Sequence, residues 1–355
     1  MIFYSIVSSY HIIETLAILY FSSLGNCSGV KKHHIEMMEK YCYTIFVIGS
    51  CAERIELARY GIEHNCCIDK RLIEEITGYR LHMERIWIVM YGAVLGDIIG
   101  STYEWHNVKS EDFNLFPANS TFTDDTVLTV AVAEKILNQE ISKMNSRKSY
   151  ALWYKQYYKR YPNAGFGQMF SKWALSENLH IQKSYGNGAA MRVSAIGYAF
   201  ESIPDILKEV KCSCHYTHHH PEAIRGAQAI AVAIFLARKD YDKEEIEAVL
   251  RKQFSCSLDF TLDEIRKDYV FDSRTSYTVP VAIKAFLESA CYEDAIRKAV
   301  SIGGDSDTIA CMTGGIAQAY YKEIPKEIFD RGSNILDTGL KRVLNEFEDK
   351  YKVKR

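Results

Sequence analysis

The spacing of apolar residues is the feature that most constrains the fold of this chain. Over nearly all of the sequence from about Met90 onward, this spacing has the period of an α-helix. Apolar side chains recur there at intervals of three and four residues, the period that places them on one face of an α-helix. The strict alternation that is typical of a half-buried strand is scarce. The segments that carry the helical period are 124–138, 146–160, 188–200, 221–238, 280–289, 292–301 and 305–320. This pattern predicts an all-α domain.

Prolines and glycines punctuate these predicted helices. A first-turn position suits proline, since the backbone N–H that proline lacks has no partner there. The prolines predicted at such positions are Pro204, Pro221 and Pro325. No internal repeat or low-complexity tract follows residue 90. A single compact multi-helix domain is therefore expected over 90–355.

A shift in composition separates the preceding residues from this domain. Five of the ten cysteines lie in the first 67 residues, and no proline occurs before Pro117. We therefore expect an N-terminal extension at 1–89 that is mostly helical or poorly ordered and has no assigned role. The boundary between the two parts is predicted at 89/90.

The first 24 residues are strongly apolar, but they lack the basic start of a signal peptide. His11 and Glu14 interrupt the apolar run, and a charged glutamate is costly inside a bilayer. A partly buried or amphipathic helix is therefore favoured over a signal peptide or membrane anchor. A third alternative, in which Met90 is the natural start of the protein, stays open.

The overall charge and the cysteine content limit the kinds of partner. With 43 Lys+Arg against 45 Asp+Glu the formal net charge is −2, so no broad cationic surface for nucleic acid is expected. Ten cysteines in 355 residues, with no C-x-x-C pair, do not make a disulfide scaffold or a zinc or redox motif. We expect a cytoplasmic monomer that binds neither nucleic acid nor membranes.

Two acidic clusters stand at the starts of predicted helices. The first is Thr123, Asp124 and Asp125, and the second follows a Gly-Gly turn and contains Asp305, Asp307 and Thr308. One carboxylate at such a place is an ordinary helix cap, and each cluster alone fits capping as well as it fits a ligand role. The two clusters have nearly the same pattern, and together they offer four carboxylates and two hydroxyls.

This ligand set favours a metal site. Hard oxygen ligands without His or Cys suit Mg2+ or Mn2+ rather than zinc. If the two helices pack with their N-termini together, the carboxylates repel one another unless cations neutralise them. Two divalent ions would match the charge of four carboxylates.

A small-residue helix lies upstream of the first cluster. Gly92, Gly96 and Gly100 are spaced by four residues, which allows another helix to approach closely. Asp97 lies on the same helix, where a structural hydrogen-bonding role is one interpretation, but spacing alone assigns no role to Asp97 or Glu104. Glu104 follows the helix, and for a lone glutamate a solvated loop position is the ordinary interpretation.

These motifs together resemble the ADP-ribosylglycohydrolase family. The resemblance extends from about Met90 to the C-terminus, and five motifs occur in the family's order. They are GDIIGSTYE at 96–104, TDDT at 123–126, GNGAAMRVSAIG at 186–197, THHHPEAIRGA at 217–227 and GGDSDTIA at 303–310. The resemblance implies an all-α catalytic domain at 90–355 with a binuclear Mg2+ or Mn2+ centre. It also implies hydrolysis of the glycosidic bond of an ADP-ribosylated protein side chain or ADP-ribose derivative, with release of ADP-ribose.

The resemblance also implies roles for individual residues. The implied metal ligands are Thr123, Asp124, Asp125, Asp305, Asp307 and Thr308. The implied catalytic residues are Glu104, at the metal edge as ligand, gate or base, and Asp125. The positions implied to hold ADP-ribose are Gly186, Asn187, Gly188, Met191, Arg192 and His218. The neighbouring His219 and His220 are interpreted as cap and surface residues, because three consecutive side chains cannot all face one ion.

Two other functions stay open. A non-catalytic, crystallin-like ADP-ribose-binding protein could share the fold, although both acidic clusters and Glu104 are intact here. A binuclear metal phosphohydrolase acting on nucleotides would use the same ligands. The sequence does not determine the leaving group. The aromatic residues expected near the pocket could line it and select the leaving group, or they could be ordinary packing residues. They are Trp105, Phe113, Phe166 and Phe170.

Overall fold

The computed structural model describes residues 85–86, 89–138 and 145–351, and most of these residues are helical. The chain from Met83 to Arg355 forms one compact unit. Nearly all of the predicted N-terminal extension lies outside the described residues, so its character and the boundary at 89/90 stay predictions.

The helices of the described part follow one another closely. In chain order the elements are β1 (Arg85–Ile86), α1 (Tyr91–Gly100), α2 (Asp124–Leu137), α3 (Ser146–Arg160), α4 (Gln168–Leu175), a 3-10 turn (Asn187–Ala189), α5 (Ser194–Ala199), α6 (Ile203–Cys214), α7 (Pro221–Arg238), α8 (Lys243–Phe254), α9 (Leu262–Arg266), α10 (Thr275–Leu287), α11 (Tyr292–Ser301), α12 (Ser306–Tyr321), β2 (Ile324–Pro325), α13 (Lys326–Ile335) and α14 (Thr338–Tyr351). The two short strands pair antiparallel, with Ile86 opposite Ile324. The predicted all-α fold is confirmed.

Two predicted helices differ from the observed ones. The segment 188–200 is not one helix, because only a 3-10 turn and the six-residue α5 form there. Most of its residues, 189–198, are buried all the same, and a buried irregular segment carries an apolar run like that of a helix. Helix α10 begins at Thr275, five residues before the predicted start, and Pro280 lies inside it.

Helices α1 and α12 form the centre of the fold. Every residue of α1 is buried, as is nearly all of α12. The remaining helices pack around this pair, with α10, α11 and α7 against α12 and with α2 and α13 against α1. The central pair therefore forms the surface on which these five helices pack.

The glycine face of α1 lets its backbone touch that of α12. A Cβ atom at Gly96 would lie 2.1 Å from the Ala310 carbonyl oxygen, and one at Gly92 would lie 2.4 Å from the Gly314 carbonyl oxygen. At Gly100 the Cβ would lie 2.6 Å from the Asp307 Cα. No side chain fits between the two helices, so the predicted close approach is confirmed.

Gly96→Ala is expected to destabilise the protein by about 1–3 kcal/mol, the usual range for overpacking a core. The added methyl group would meet a backbone carbonyl, which cannot rotate away. Urea unfolding of both proteins measures the loss. Gly167→Ala is the matched control, because nothing lies within 4 Å of a Cβ at that position. Equal stability of Gly96→Ala and wild type would contradict this packing.

Candidate active site

The N-termini of α2 and α12 meet, and this brings the two acidic clusters together. The Thr308 hydroxyl donates a hydrogen bond to Asp125 Oδ2 at 3.1 Å, across 183 positions of sequence. Both residues are buried. The condition on which the predicted metal site depended, that the two helix starts pack together, is therefore met.

Asp97 holds the start of α2 in place. Its Oδ2 accepts from the backbone N–H groups of Thr123 and Thr126, at 2.9 and 3.1 Å. Its Oδ1 accepts from the Thr123 hydroxyl at 2.7 Å. Asp97 thus caps a neighbouring helix, a role that its spacing in the sequence did not assign.

The carboxylates form two groups that share one member. Single oxygen atoms of Asp97, Asp125 and Asp307 lie within 4.8 Å of one another, and so do those of Glu104, Asp305 and Asp307. Asp307 belongs to both groups. Two adjacent groups of oxygen ligands joined by one carboxylate are an arrangement that can hold two cations.

Burial makes these carboxylates hard to ionise. It is the largest cause of a raised pKa at six residues, which are Asp97, Glu104, Asp124, Asp125, Asp305 and Asp307. The pKa of Glu104 is raised to about 7 by burial and then by the charge of Asp305. The pKa of Asp124 is raised to about 8 by burial and then by the charges of Asp97 and Asp305. Within 89–138 and 145–351, no Lys or Arg forms an ion pair with any of the six.

The donor set fits a divalent cation. Asp125 Oδ1 is fully buried and has no hydrogen-bond partner within the described residues, and a buried oxygen of this kind is costly unless a ligand meets it. The clustered donors are all carboxylate oxygens, which suit Mg2+, Mn2+ or Ca2+. These acidic groups could therefore hold metal ions.

Thr123 and Asp124 lie at the edge of this arrangement. The Thr123 hydroxyl already donates to Asp97, and it accepts from the backbone N–H of Asp125 at 3.3 Å. Asp124 belongs to neither close carboxylate group, and its Oδ1 faces the loop at Gly165. Direct metal contact by these two residues stays a prediction.

The turn that carries Glu104 is tied to the turn before α12. Asn107 Nδ2 donates to the Glu104 carbonyl at 2.8 Å, and Asn107 Oδ1 accepts from the Gly304 N–H at 2.6 Å. Gly303 and Gly304 have φ of 72° and 71°, a conformation that favours glycine. Asn107 was not among the residues predicted from the sequence. Its only signal is a short polar side chain in a turn, which is typical of such clamps.

The predicted ADP-ribose segment lies directly against the second acidic cluster. Asn187 Nδ2 donates to Asp305 Oδ2 at 2.7 Å, and the Asn187 backbone N–H donates to the Ser273 carbonyl at 2.8 Å. A Cβ at Gly188 would lie 3.1 Å from His218 Nε2. Asn187, Gly188 and His218 are therefore brought together beside the carboxylates.

Arg192 and Met191 lie deeper. Arg192 is completely buried, and it donates to the Thr217 hydroxyl at 2.8 Å and to the Ser213 carbonyl at 3.3 Å. The backbone carbonyl of Met191 accepts from the Thr129 hydroxyl at 3.2 Å. Direct contact of either side chain with a diphosphate stays a prediction, because the contacts present are with the protein itself.

The aromatic residues near the site divide into two kinds. Phe166 and Phe170 stack at 5.2 Å between ring centroids, and Phe170 is buried, which indicates packing. Trp105, next to Glu104 in the chain, is 74% exposed and stacks on the exposed Phe271 at 5.7 Å.

His220 caps α7 by accepting from the Glu222 N–H at 3.3 Å, in agreement with the prediction.

Comparison with known proteins identifies the family. A family model described as ADP-ribosylglycohydrolase matches residues 79–352. This chain belongs to the ADP-ribosylglycohydrolase family. The ADP-ribosylhydrolases ARH3 of Xenopus tropicalis and Homo sapiens are 28% and 27% identical to it, over 66% and 65% of this chain and 86% and 83% of theirs. The ADP-ribosylarginine hydrolase Tri1 of Pseudomonas putida is 26% identical, over 67% of this chain and 71% of its own.

A solved structure has the same fold. A chain described as ADP-ribosylglycohydrolase-related protein complex aligns with a TM-score of 0.54 at 22% identity, over 74% of this chain and 94% of that one. The resemblance predicted from the motifs and the prediction of an ADP-ribosylglycohydrolase enzyme are confirmed. Among the described residues no helix is long and apolar enough to cross a bilayer.

The raised pKa values predict how the stability of the metal-free protein depends on pH. The folded state keeps the protons of Asp124 and Glu104 to a higher pH than the unfolded chain, where such groups ionise near pH 4. Their contribution to stability is complete below pH 4 and is lost as pH rises through about 7 and 8. Tm of the metal-free protein should therefore fall as pH rises from about 4 to about 8.

Asp124→Asn isolates the contribution of one carboxyl group. Its Tm, measured by calorimetry in the presence of a chelator, should fall less between pH 4 and 8 than the Tm of wild type. Parallel Tm curves for the two proteins would show that the Asp124 carboxyl is not held in its protonated form.

Proposed function

We propose that this enzyme is a divalent-metal-dependent hydrolase that releases ADP-ribose from an ADP-ribosylated protein side chain or a small ADP-ribose derivative. The observation that carries the proposal is the pair of carboxylate groups that share Asp307, one with Asp97 and Asp125 and the other with Glu104 and Asp305. All of these carboxylates except the half-buried Glu104 are buried, and none of them forms an ion pair with a cation among the described residues. Family membership supplies the reaction class. The cytoplasmic location and monomeric state stay predictions.

The proposed cofactor is two Mg2+ ions, and Mn2+ fits the same ligands. Asp125 and Asp307 would hold one ion, and Asp305 and Asp307 the other, with the oxygens of Thr123, Asp124 and Thr308 completing the set predicted from the sequence. When bound, the ions supply charge neutralisation and polarisation of water and of sugar hydroxyls. Asp97 contributes by holding Thr123 and the α2 N-terminus in register.

Glu104 is the proposed general base. Its side chain is half-buried at the edge of the carboxylate cluster, and burial raises its pKa in the metal-free protein, which makes the carboxylate a stronger proton acceptor. Asn107 holds its turn against the start of α12. The Glu104 carboxylate would take the proton from the water that attacks C1 of the ribose. Asp125 is the alternative base, but its burial and its bond to Thr308 favour a ligand role.

The site also suits the charge that develops in the reaction. Cleavage at C1 passes through an oxocarbenium-like state, in which positive charge accumulates on the sugar. Carboxylates held near C1 stabilise this charge more than they stabilise the ground state. The 186–188 segment, anchored on Asp305 through Asn187, would place the rest of ADP-ribose next to these groups.

A panel of substrates distinguishes the proposed reaction from its alternatives. The panel contains ADP-ribosyl-arginine, ADP-ribosyl-serine, O-acetyl-ADP-ribose and free ADP-ribose, each incubated with Mg2+ and analysed by chromatography. We expect intact ADP-ribose from at least one conjugate. Release of AMP and ribose phosphate would indicate a phosphohydrolase instead. Binding of ADP-ribose without any product would indicate the crystallin-like alternative.

Two substitutions separate metal binding from proton transfer. Asp305→Ala should abolish Mg2+ binding in calorimetry and turnover together, because it removes a carboxylate from the second group. Glu104→Gln should lower kcat by at least about 100-fold, the usual range for a general base, while ADP-ribose still binds. Glu327→Gln, at an exposed position on α13, is the control and should match wild type. Normal turnover in Glu104→Gln would disprove the assignment of the base.

A further inference from the structure

The contacts of Arg192 indicate a role different from the direct binding of ADP-ribose that the family resemblance implied. We propose that Arg192 is a positioning residue, which acts through Thr217 to hold His218 in the tautomer with its proton on Nε2. In this form His218 donates a hydrogen bond to an oxygen atom of the bound ligand. That the ligand is ADP-ribose rests on the proposed function, whereas the tautomer does not.

Arg192 can only donate, and its position is fixed from several sides. Its guanidinium stacks over the ring of Tyr154 at 4.3 Å and donates to the Ser213 carbonyl and the Thr217 hydroxyl. The Tyr154 hydroxyl in turn bonds to the Ser213 hydroxyl at 2.6 Å. The Nε and Nη1 atoms of Arg192 are buried and have no hydrogen-bond partner among the described residues. Because the side chain has no exposed surface, the guanidinium influences a ligand through the groups that it contacts.

The Thr217 hydroxyl links Arg192 to the ring of His218 by hydrogen bonds. Its oxygen accepts from Arg192 at 2.8 Å and lies 2.9 Å from His218 Nδ1. A hydroxyl has one proton, and within the described residues Nδ1 is the one acceptor in reach of the Thr217 hydroxyl. If Nδ1 carried its own proton, the buried Thr217 proton would have no partner, at a cost that folded proteins avoid. Thr217 therefore donates to Nδ1, and the ring proton is on Nε2.

The Nε2 side of the ring faces the site. Nε2 lies 3.1 Å from the place where a side chain at Gly188 would begin, and it forms no hydrogen bond within 89–138 and 145–351. The adjacent Asn187 bonds Asp305. Glycine at 188 thus leaves open the space into which the Nε2–H group can donate, and that space adjoins the carboxylates.

The ring is also kept neutral. Burial lowers the pKa of His218 well below its usual range, and the charge of Arg192 lowers it further. A neutral ring with the opposite tautomer would present a lone pair, which repels a phosphate oxygen and can only accept a hydrogen bond from a ribose hydroxyl. The chain of contacts from Arg192 through Thr217 to His218, called the relay below, therefore determines whether His218 donates a hydrogen bond to a ligand oxygen.

The tautomer can be measured directly by NMR of protein labelled with 15N-histidine at pH 7, without ligand or metal. Comparison with His218→Gln identifies the His218 signals among those of the 11 histidines. We expect one protonated nitrogen, Nε2, in wild type. A proton on Nδ1, or a doubly protonated ring, would overturn the proposal without the need for any further variant.

Thr217→Val and Thr217→Ser form a matched pair. Valine has the shape of threonine without the hydroxyl, so Nδ1–H should become populated, and calorimetry should show about tenfold weaker ADP-ribose binding, equivalent to one hydrogen bond. Serine keeps the hydroxyl and should restore both readouts, and Mg2+ affinity should be unchanged in both variants. A wild-type tautomer ratio in Thr217→Val would overturn the relay. Absence of ADP-ribose binding by wild type would overturn the ligand assignment and the proposed function, while an Nε2–H tautomer would still support the relay.

Discussion

The close approach of α1 and α12 is the constraint on which the site depends. Glycines at 92, 96 and 100 let the two backbones touch over their whole contact. This contact places the end of α1, with Asp97 and the Glu104 turn, beside the start of α12. Asp97 then draws in the start of α2 through three hydrogen bonds. Packing between two central helices thus determines where the acidic residues gather.

The result is a concentration of negative charge that the protein alone compensates only in part. Hydrogen bonds from Asn187, Thr308 and backbone N–H groups meet some of the carboxylate oxygens, and two helix N-termini add partial positive charge. The raised pKa values show that these groups do not make up for burial. Burial therefore disfavours the ionised form of these carboxylates, and bound divalent ions would favour it. The same feature that costs stability provides the binding energy for metal.

The sequence predicted the parts of the site whose pattern exceeds what local structure needs. Two adjacent carboxylates at 124–125 are more than a helix cap requires, and glycines at every fourth position are more than one helix requires. The roles of residues that depend on tertiary contacts could not be predicted from the sequence. Arg192 has the appearance of a phosphate ligand, but its depth and its bond to Thr217 depend on how α6 ends. Asn107 and the break in 188–200 likewise follow from neighbours that are distant in the sequence.

The central claim is that the shared Asp307 joins two metal positions, and diffraction at the manganese absorption edge from crystals saturated with Mn2+ tests it most directly. We predict two anomalous peaks, each within coordination distance, about 2.0–2.5 Å, of an Asp307 oxygen. Asp125 should coordinate on one side and Asp305 on the other. Crystals that show no peak among these carboxylates at saturating Mn2+ would contradict the account.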